Sequence, residues 1–332
     1  MRPTFHPRLA GLTPFDDPGV FVGFTFQRRG LVFDLGNATA LSSRDLVKVS
    51  HAFVSHTHMD HFIGFDHLVR LLLGRTKRLF LYGPPGFLKN VEGRLSGYTW
   101  NLVENYESRF LLVAAEVGED HVTTRTFACR QAFAPVDESR APFTGTLLSE
   151  PALTVTAAVL DHKIPCLGFA LAERFHVNVM KDRLTEMGLA VGPWLARMKE
   201  SLWSGAPPET PVEAPTPDGG TRALTLGEVA EKAVRITPGQ KIAYVTDAAG
   251  SPENEERILA LANHADHLFI EAAFLHQDLS EAREKHHLTA RQAGSLARRA
   301  GAKDLTVFHF SPRYAGREGE LIAEARAAFR DE

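Results

Sequence analysis

The sequence predicts an α/β protein in which layers of β-sheet are covered by helices, an αββα sandwich. Three observations predict it. Short apolar, β-rich runs cluster in the first half of the chain. In the second half such runs alternate with segments whose apolar residues recur every three or four positions, as packed helices require. The chain has 332 residues, 44% hydrophobic and 23% charged, enough to bury the core that such layers need.

In chain order, VFVGFTF (20–26) and LVFDLG (31–36) read as strands joined through Gln27-Arg28-Arg29-Gly30, a hairpin signal. AFVS (52–55) is a further strand that runs straight into a histidine cluster. FIGFDHLVRLLL (62–73) then has helical spacing. LFLYGPPG (79–86) is a strand ending in a breaker, and PGFLKNVEGRLSGY (85–98) reads as a helix with proline near its start. RFLLV (109–113), ALTVTAAVL (152–160) and LGFALA (167–172) are strand candidates. Residues 205–220, GAPPETPVEAPTPDGG, carry five prolines and three glycines in sixteen residues and read as a loop. Regular structure resumes with the strand KIAYVT (241–246), a helix at 253–264, the strand HLFIEAAF (267–274), a helix at 289–300 and the strand DLTVFHF (304–310). An amphipathic segment at 319–329 follows. The length suits one large or two modest domains.

The formal charge of −3 gives no whole-protein field favouring nucleic acid. Two cysteines, Cys129 and Cys166, provide neither a disulfide framework nor a cysteine-based zinc site and suit a reducing compartment. The first twenty residues lack the apolar core of a signal peptide, and no window approaches a membrane span, so a cytoplasmic protein is expected.

The densest chemistry is SHTHMDHFIGFDHL (55–68). Neutral imidazoles and carboxylates are good ligands for zinc and similar ions. His56 and His58 lie two apart directly after a strand and can converge on one ion. Asp60 and His61 point elsewhere from the same turn and can serve a second. The plainer alternative is a solvated loop in which Asp60 caps the following helix. Two ions need more ligands, and His162, Asp247 and His309 each stand at the end of a strand, where rigid elements can deliver side chains to a shared site. Taken singly, each could be a satisfied core histidine or a turn cap.

These residues resemble the signature of the metallo-β-lactamase superfamily, and the later motifs narrow the resemblance to its ribonuclease Z branch. VFDLGN (32–37), HTHMDH (56–61), LDHKIPCLGF (160–169), PGQKIAYVTD (238–247) and HLTARQAGSLARRAGAKDLTVFHFSPRY (287–314) stand in the family's order, spanning roughly residues 20 to 315. The resemblance implies a single four-layer αββα domain over 1–332, two mixed sheets flanked by helices, with an inserted segment at about 173–237 as a possible substrate arm. It implies two Zn2+ per chain, with Mn2+ as an alternative. His56, His58 and His162 would hold one ion, Asp60, His61 and His309 the other, and Asp247 would bridge them. Asp60 would also serve as general base. His287 would assist the leaving group, Glu271 would orient His287, and Asp34 would steady the ligand loop from behind. Arg313 is placed either on a substrate phosphate or in an ion pair with an acidic residue.

Two features depart from the family pattern. The opening FHPRLAGLTPFDDPG does not match its usual Gly-rich start. The segment 173–237 is not strongly basic, since Arg174, Lys181, Arg183, Arg197 and Lys199 are offset by Glu173, Asp182, Glu186 and Glu200, with Glu209 and Glu213 beyond. RNA binding draws on phosphate neutralisation, so that footprint is weak. The activity implied is removal of the 3′ trailer of precursor tRNA by a dinuclear zinc phosphodiesterase, working as a homodimer. The alternative keeps the chemistry and takes small or cyclic phosphodiesters with no tRNA role. A scaffold with a degraded site is disfavoured, because all seven ligand positions are filled.

Overall fold

The computed structural model describes residues 3–331. The chain divides into two compact units. The large one holds Phe5–Leu147, Thr156–Ala170 and 242–331; the small one holds Pro3 and Thr4, Leu148–Val155 and Leu171–Lys241.

Eight strands form the first sheet in chain order: β1 Phe5–Leu9, β2 Val20–Phe24, β3 Gly30–Phe33, β4 Val49–Phe53, β5 Lys77–Gly83, β6 Phe110–Val117, β7 His121–Ala128 and β8 Pro135–Pro142. Its centre, β3 to β6, is parallel. Antiparallel pairs flank it on both sides. The next strands are β9 Thr146–Ser149, β10 Leu153–Asp161, β11 Pro165–Glu173, β12 Phe175–Val179, β13 Pro211–Pro215, β14 Thr221–Thr225, β15 Val234–Pro238, β16 Lys241–Val245, β17 His267–Glu271 and β18 Leu305–Phe308. Six of them make the second sheet, in the order β18-β17-β16-β11-β10-β9. β16, β17 and β18 run parallel.

Alternation along the strands sets the layers, because successive side chains leave a strand on opposite faces. Ala52, Val54, Leu79, Leu81 and Leu112 turn to one side and pack with Leu68, Val69 and Leu72 of the helix Phe65–Leu72 and with Val91 and Leu95 of the helix Phe87–Ser96. In the second sheet, Ala243, Val245, Leu268 and Ile270 pack with Ile258, Ala293, Leu296, Leu321 and Ala325 of the helices Pro252–Ala262, Ala290–Arg299 and Glu318–Arg330. The opposite faces meet in a layer of aromatic rings: Phe33 lies 5.5 Å from Phe53, 5.6 Å from Phe169 and 5.7 Å from Tyr244. Helix, sheet, sheet, helix is the order that the sequence predicts.

The small unit has its own core of Leu184, Leu189, Trp194, Met198, Val212, Ala214, Leu226, Val229 and Ala233. β12 pairs with β15, and β13 with β14. The Pro-rich stretch 205–220, read as a loop, therefore contains a strand, with Val212 and Ala214 of β13 turned into that core. The single helix read over 62–73 is two, Met59–Phe62 and Phe65–Leu72, parted at Ile63 and Gly64. β7 and β8 were not legible as strands. Among the described residues no helix is long and apolar enough to cross a membrane.

Candidate metal centre

The site lies in the large unit, where strands of both sheets end. β3 leads into Asp34, β4 into Ser55 and His56, β10 into His162, β16 into Asp247 and β18 into His309, while β17 closes on Glu271. The loop after β4 turns into the helix Met59–Phe62, whose N-cap is His58, with no side-chain capping bond. Asp60 sits inside that helix and caps nothing, which removes the capping alternative. The loop is seated by its backbone: Leu35 N–H donates to His61 C=O at 2.9 Å and Gly64 N–H to Leu35 C=O at 2.7 Å. Gly36 allows this close approach, because a Cβ there would stand 2.4 Å from Asp60 C=O. Asn90 Nδ2 adds a bond of 2.6 Å to Thr57 Oγ1.

Three overlapping groups result, in each of which the potential ligand atoms lie within 4.8 Å of one another: His56, His58, His162 and Asp247; Asp60, His61 and His309; and Asp247, Glu271, His287 and His309. Asp247 is the hinge of the arrangement. Its Oδ2 lies 3.5 Å from His56 Nε2, 3.3 Å from His61 Nε2 and 3.4 Å from His162 Nε2. Its Oδ1 lies 3.0 Å from His309 Nδ1. Asp60 Oδ2 is 3.4 Å from His61 Nε2 and 3.2 Å from His309 Nε2.

The far nitrogens of the imidazoles are fixed. His61 Nδ1 lies 2.9 Å from Asp34 Oδ2 and His162 Nδ1 lies 2.7 Å from the His286 carbonyl. Both partners can only accept, so both rings carry a proton on Nδ1 and turn Nε2 to Asp247. Ser55 Oγ donates to Asp34 Oδ2 at 2.8 Å and lies 3.1 Å from His56 Nδ1, which gives His56 the same tautomer. His56 Nε2 and His61 Nε2 are buried and make no hydrogen bond. Buried ring nitrogens converging on one carboxylate oxygen without a formed hydrogen bond are a poor polar packing and a good cation-binding one, so the residues fit a metal.

Charge follows the same geometry. Burial pushes His56 down to about 2, so it stays neutral. Burial would also lower His309, but the Asp247 carboxylate outweighs it and raises His309 to about 10. His61 is likewise lifted, against burial, by Asp247 and Asp34. Burial opposes a charge on Asp60, yet bonds from His309 and His61 hold it well below the usual carboxylate range. Protonated imidazoles thus balance the carboxylates where a metal ion's charge would. The backbone is strained here too: φ is positive at Asp34 (58°), Asp247 (47°) and His309 (59°), as at Lys163 and His286 beside the site.

His287 stands at the edge. Its Nδ1 lies 2.8 Å from Glu271 Oε2, and Glu271 Oε1 accepts from Ala248 N–H at 2.7 Å. Burial lowers His287, and the Glu271 charge more than compensates, so it rises above its ordinary value. Arg313 makes the ion-pair choice of its two readings: it binds Glu281 and lies over the Phe274 ring at 5.7 Å. Two residues that sequence reasoning missed complete the frame. Ser55 carries the relay to His56; its place directly before the motif was the only signal. Asn254, buried in the helix Pro252–Ala262, clamps Asp161 N–H and C=O and the Ala249 carbonyl at 2.8–2.9 Å. Nothing in the sequence marks it.

No protein-family model matches the chain. It is 35% identical over 304 residues to a ribonuclease Z of Deinococcus radiodurans, a match that covers 90% of this chain and 88% of that one. Its fold is similar to that of the metallo-β-lactamase fold protein YhfI from Bacillus subtilis, at a TM-score of 0.54 and 14% identity over 98% of this chain and 92% of that one. The short form of human tRNase Z gives a TM-score of 0.52 and 16% identity, covering 93% of each chain. The two structures share the fold, and the Deinococcus relative supplies the rest: the chain belongs to the ribonuclease Z family.

Proposed function

We propose that this chain is a metal-dependent endoribonuclease that removes the 3′ trailer of precursor tRNA. The observation that carries the chemistry is Asp247, whose carboxylate faces four imidazoles at 3.0–3.5 Å. In this reading His56, His58 and His162 would hold one divalent ion, Asp60, His61 and His309 would hold a second, and Asp247 would serve both, with Zn2+ the expected metal and Mn2+ an alternative. When bound, such a pair acidifies water towards neutrality and neutralises charge developing on a phosphodiester. Asp60, held ionised, orients the attacking water and accepts its proton. His287, kept protonated by Glu271, donates from Nε2 to the departing oxygen.

The RNA part draws on the relatives' name and on the small unit. There an open recess of about 880 Å3 is edged by Arg183, Arg222, Lys232 and Arg235. Glu186, Glu228 and Glu231 share the rim, Arg183 is paired with Glu186 at 2.7 Å and Arg222 donates to the Met187 carbonyl at 2.9 Å, so Lys232 and Arg235 are the candidates for backbone phosphates. On the same reading the protein is cytoplasmic and works as a homodimer, which sedimentation would test.

The test is cleavage of a labelled precursor tRNA by zinc-loaded protein, beside hydrolysis of bis-(p-nitrophenyl) phosphate, with an Asp247→Ala control. Both substrates cut and an inactive variant support the reading. Cleavage of the small diester alone would remove the tRNA claim and favour a small or cyclic phosphodiester instead.

A further inference from the structure

Tyr244 stands in β16, three residues before Asp247, fully buried in the aromatic layer between the sheets. Its ring lies 5.7 Å from Phe33 and 5.4 Å from Phe308, both stacked. Phenylalanine would fill that slot equally well. The hydroxyl therefore needs its own reason, since a buried hydroxyl without a partner is costly. Its partner is Asp34 Oδ2, 2.7 Å away and 210 residues distant in the chain.

That carboxylate is the hub of the frame behind the site. Oδ1 accepts from Ser55 N–H at 2.6 Å. Oδ2 accepts from Ser55 Oγ at 2.8 Å, from His61 Nδ1 at 2.9 Å and from Tyr244. Asp34, Ser55 and His61 all follow strands of the first sheet. Tyr244 is the donor from the second, on the strand that delivers Asp247. One hydrogen bond thus joins the anchor of His61 and His56 to the strand of the carboxylate they face.

We infer that Tyr244 is a positioning residue for the metal centre: its hydroxyl ties Asp34 to the strand of Asp247, so that His61, and His56 through Ser55, keep their rings turned to Asp247. Without the hydroxyl, Oδ2 keeps two donors, both from one sheet. With Ser55 N–H still on Oδ1, the carboxylate keeps its hold on the ligand loop but loses its tie to the strand of Asp247, so the loop and that strand can shift against each other. Partners of this outer kind typically set metal affinity by 10- to 100-fold. The inference rests on the metal reading proposed above.

The test is Tyr244→Phe, which keeps the ring and the stack. Zn2+ affinity is measured by chelator competition, and 15N–1H spectra of histidine-labelled metal-free protein report which nitrogen of each ring is protonated. The expected result is Zn2+ binding weaker by about 10- to 100-fold, with the ring-nitrogen signals of His61 and His56 moved from their wild-type positions. A merely structural hydroxyl would lower thermal stability and leave both readouts alone. Wild-type affinity and wild-type histidine signals in Tyr244→Phe would overturn the inference. Ser55→Ala guards against a variant that fails to fold: it should disturb His56 and weaken Zn2+ binding, and no change in either would break the relay on which Tyr244 acts. Failure of the wild-type protein to bind Zn2+ would instead overturn the metal reading, and this inference with it.

Discussion

His309 and His61 carry protons that a cation must displace. Asp247 holds His309 protonated up to about 10, against burial, and Asp247 with Asp34 does the same for His61. A ligand nitrogen must lose its proton to bind metal. Zn2+ affinity should therefore rise with pH across the neutral range, and calorimetry in buffers of different ionisation enthalpy should show proton release; binding without release would contradict the charge balance described here. The linkage sign is also fixed. A group whose folded pKa is raised stabilises the fold fully below its unfolded value and loses that stability as pH rises through the folded one. Metal-free protein should thus lose stability between about 6.5 and 10 as His309 deprotonates, which thermal melts against pH would show. Glu271 does for His287 what Asp247 does for His309. Glu271→Gln removes the charge that raises His287, so the alkaline limb of the kcat profile should move to lower pH. An unmoved limb would mean that His287 is not the proton donor. HTHMDH made the histidines legible, but their tautomers were not, because Ser55 and the His286 carbonyl look like ordinary loop and turn residues until the fold brings them together.

At the scale of elements, two backbones packed against each other decide where the metal loop lies. Gly36 and Gly64 face each other across the turn after β3, and a Cβ on Gly64 would stand 2.4 Å from Gly36 C=O. That close approach ends the helix Met59–Phe62 and restarts it at Phe65, a break that apolar spacing alone could not reveal. Gly36→Ala has no room without moving Asp60 or Asp17. It should cost about 1–3 kcal/mol, as overpacking does, and should weaken Zn2+ binding by displacing Asp60. A stable variant with unchanged metal affinity would show that the loop is not seated as described. Other elements were illegible for the opposite reason. β8, PVDESRAP, is exposed along its whole length, so no hydrophobic alternation marks it. β13 turns only Val212 and Ala214 inward, and between prolines that pattern reads as a loop.

For the molecule as a whole, the layers were legible because central strands such as β3, β16 and β17 are buried on both faces and so read as short apolar runs set between helical segments. The small unit was not, because its core is gathered from short helices and the β13–β14 hairpin, spread over 184–233. Its open recess gives the tRNA proposal a separable prediction. Lys232→Ala with Arg235→Ala should weaken precursor-tRNA binding and make log Kobs against log salt shallower by about one for each phosphate no longer neutralised. Hydrolysis of the small diester should stay at the wild-type rate. A salt slope equal to wild type would place the RNA elsewhere.

Asp60 and His309, 3.2 Å apart in space, are 249 residues apart in sequence. A folding chain must close that long loop before the second ligand group exists, and pairing distant strands of a parallel sheet is slow. A chain made only as far as the histidine loop therefore holds Asp60 and His61 of that group, and the corner from β18 arrives last.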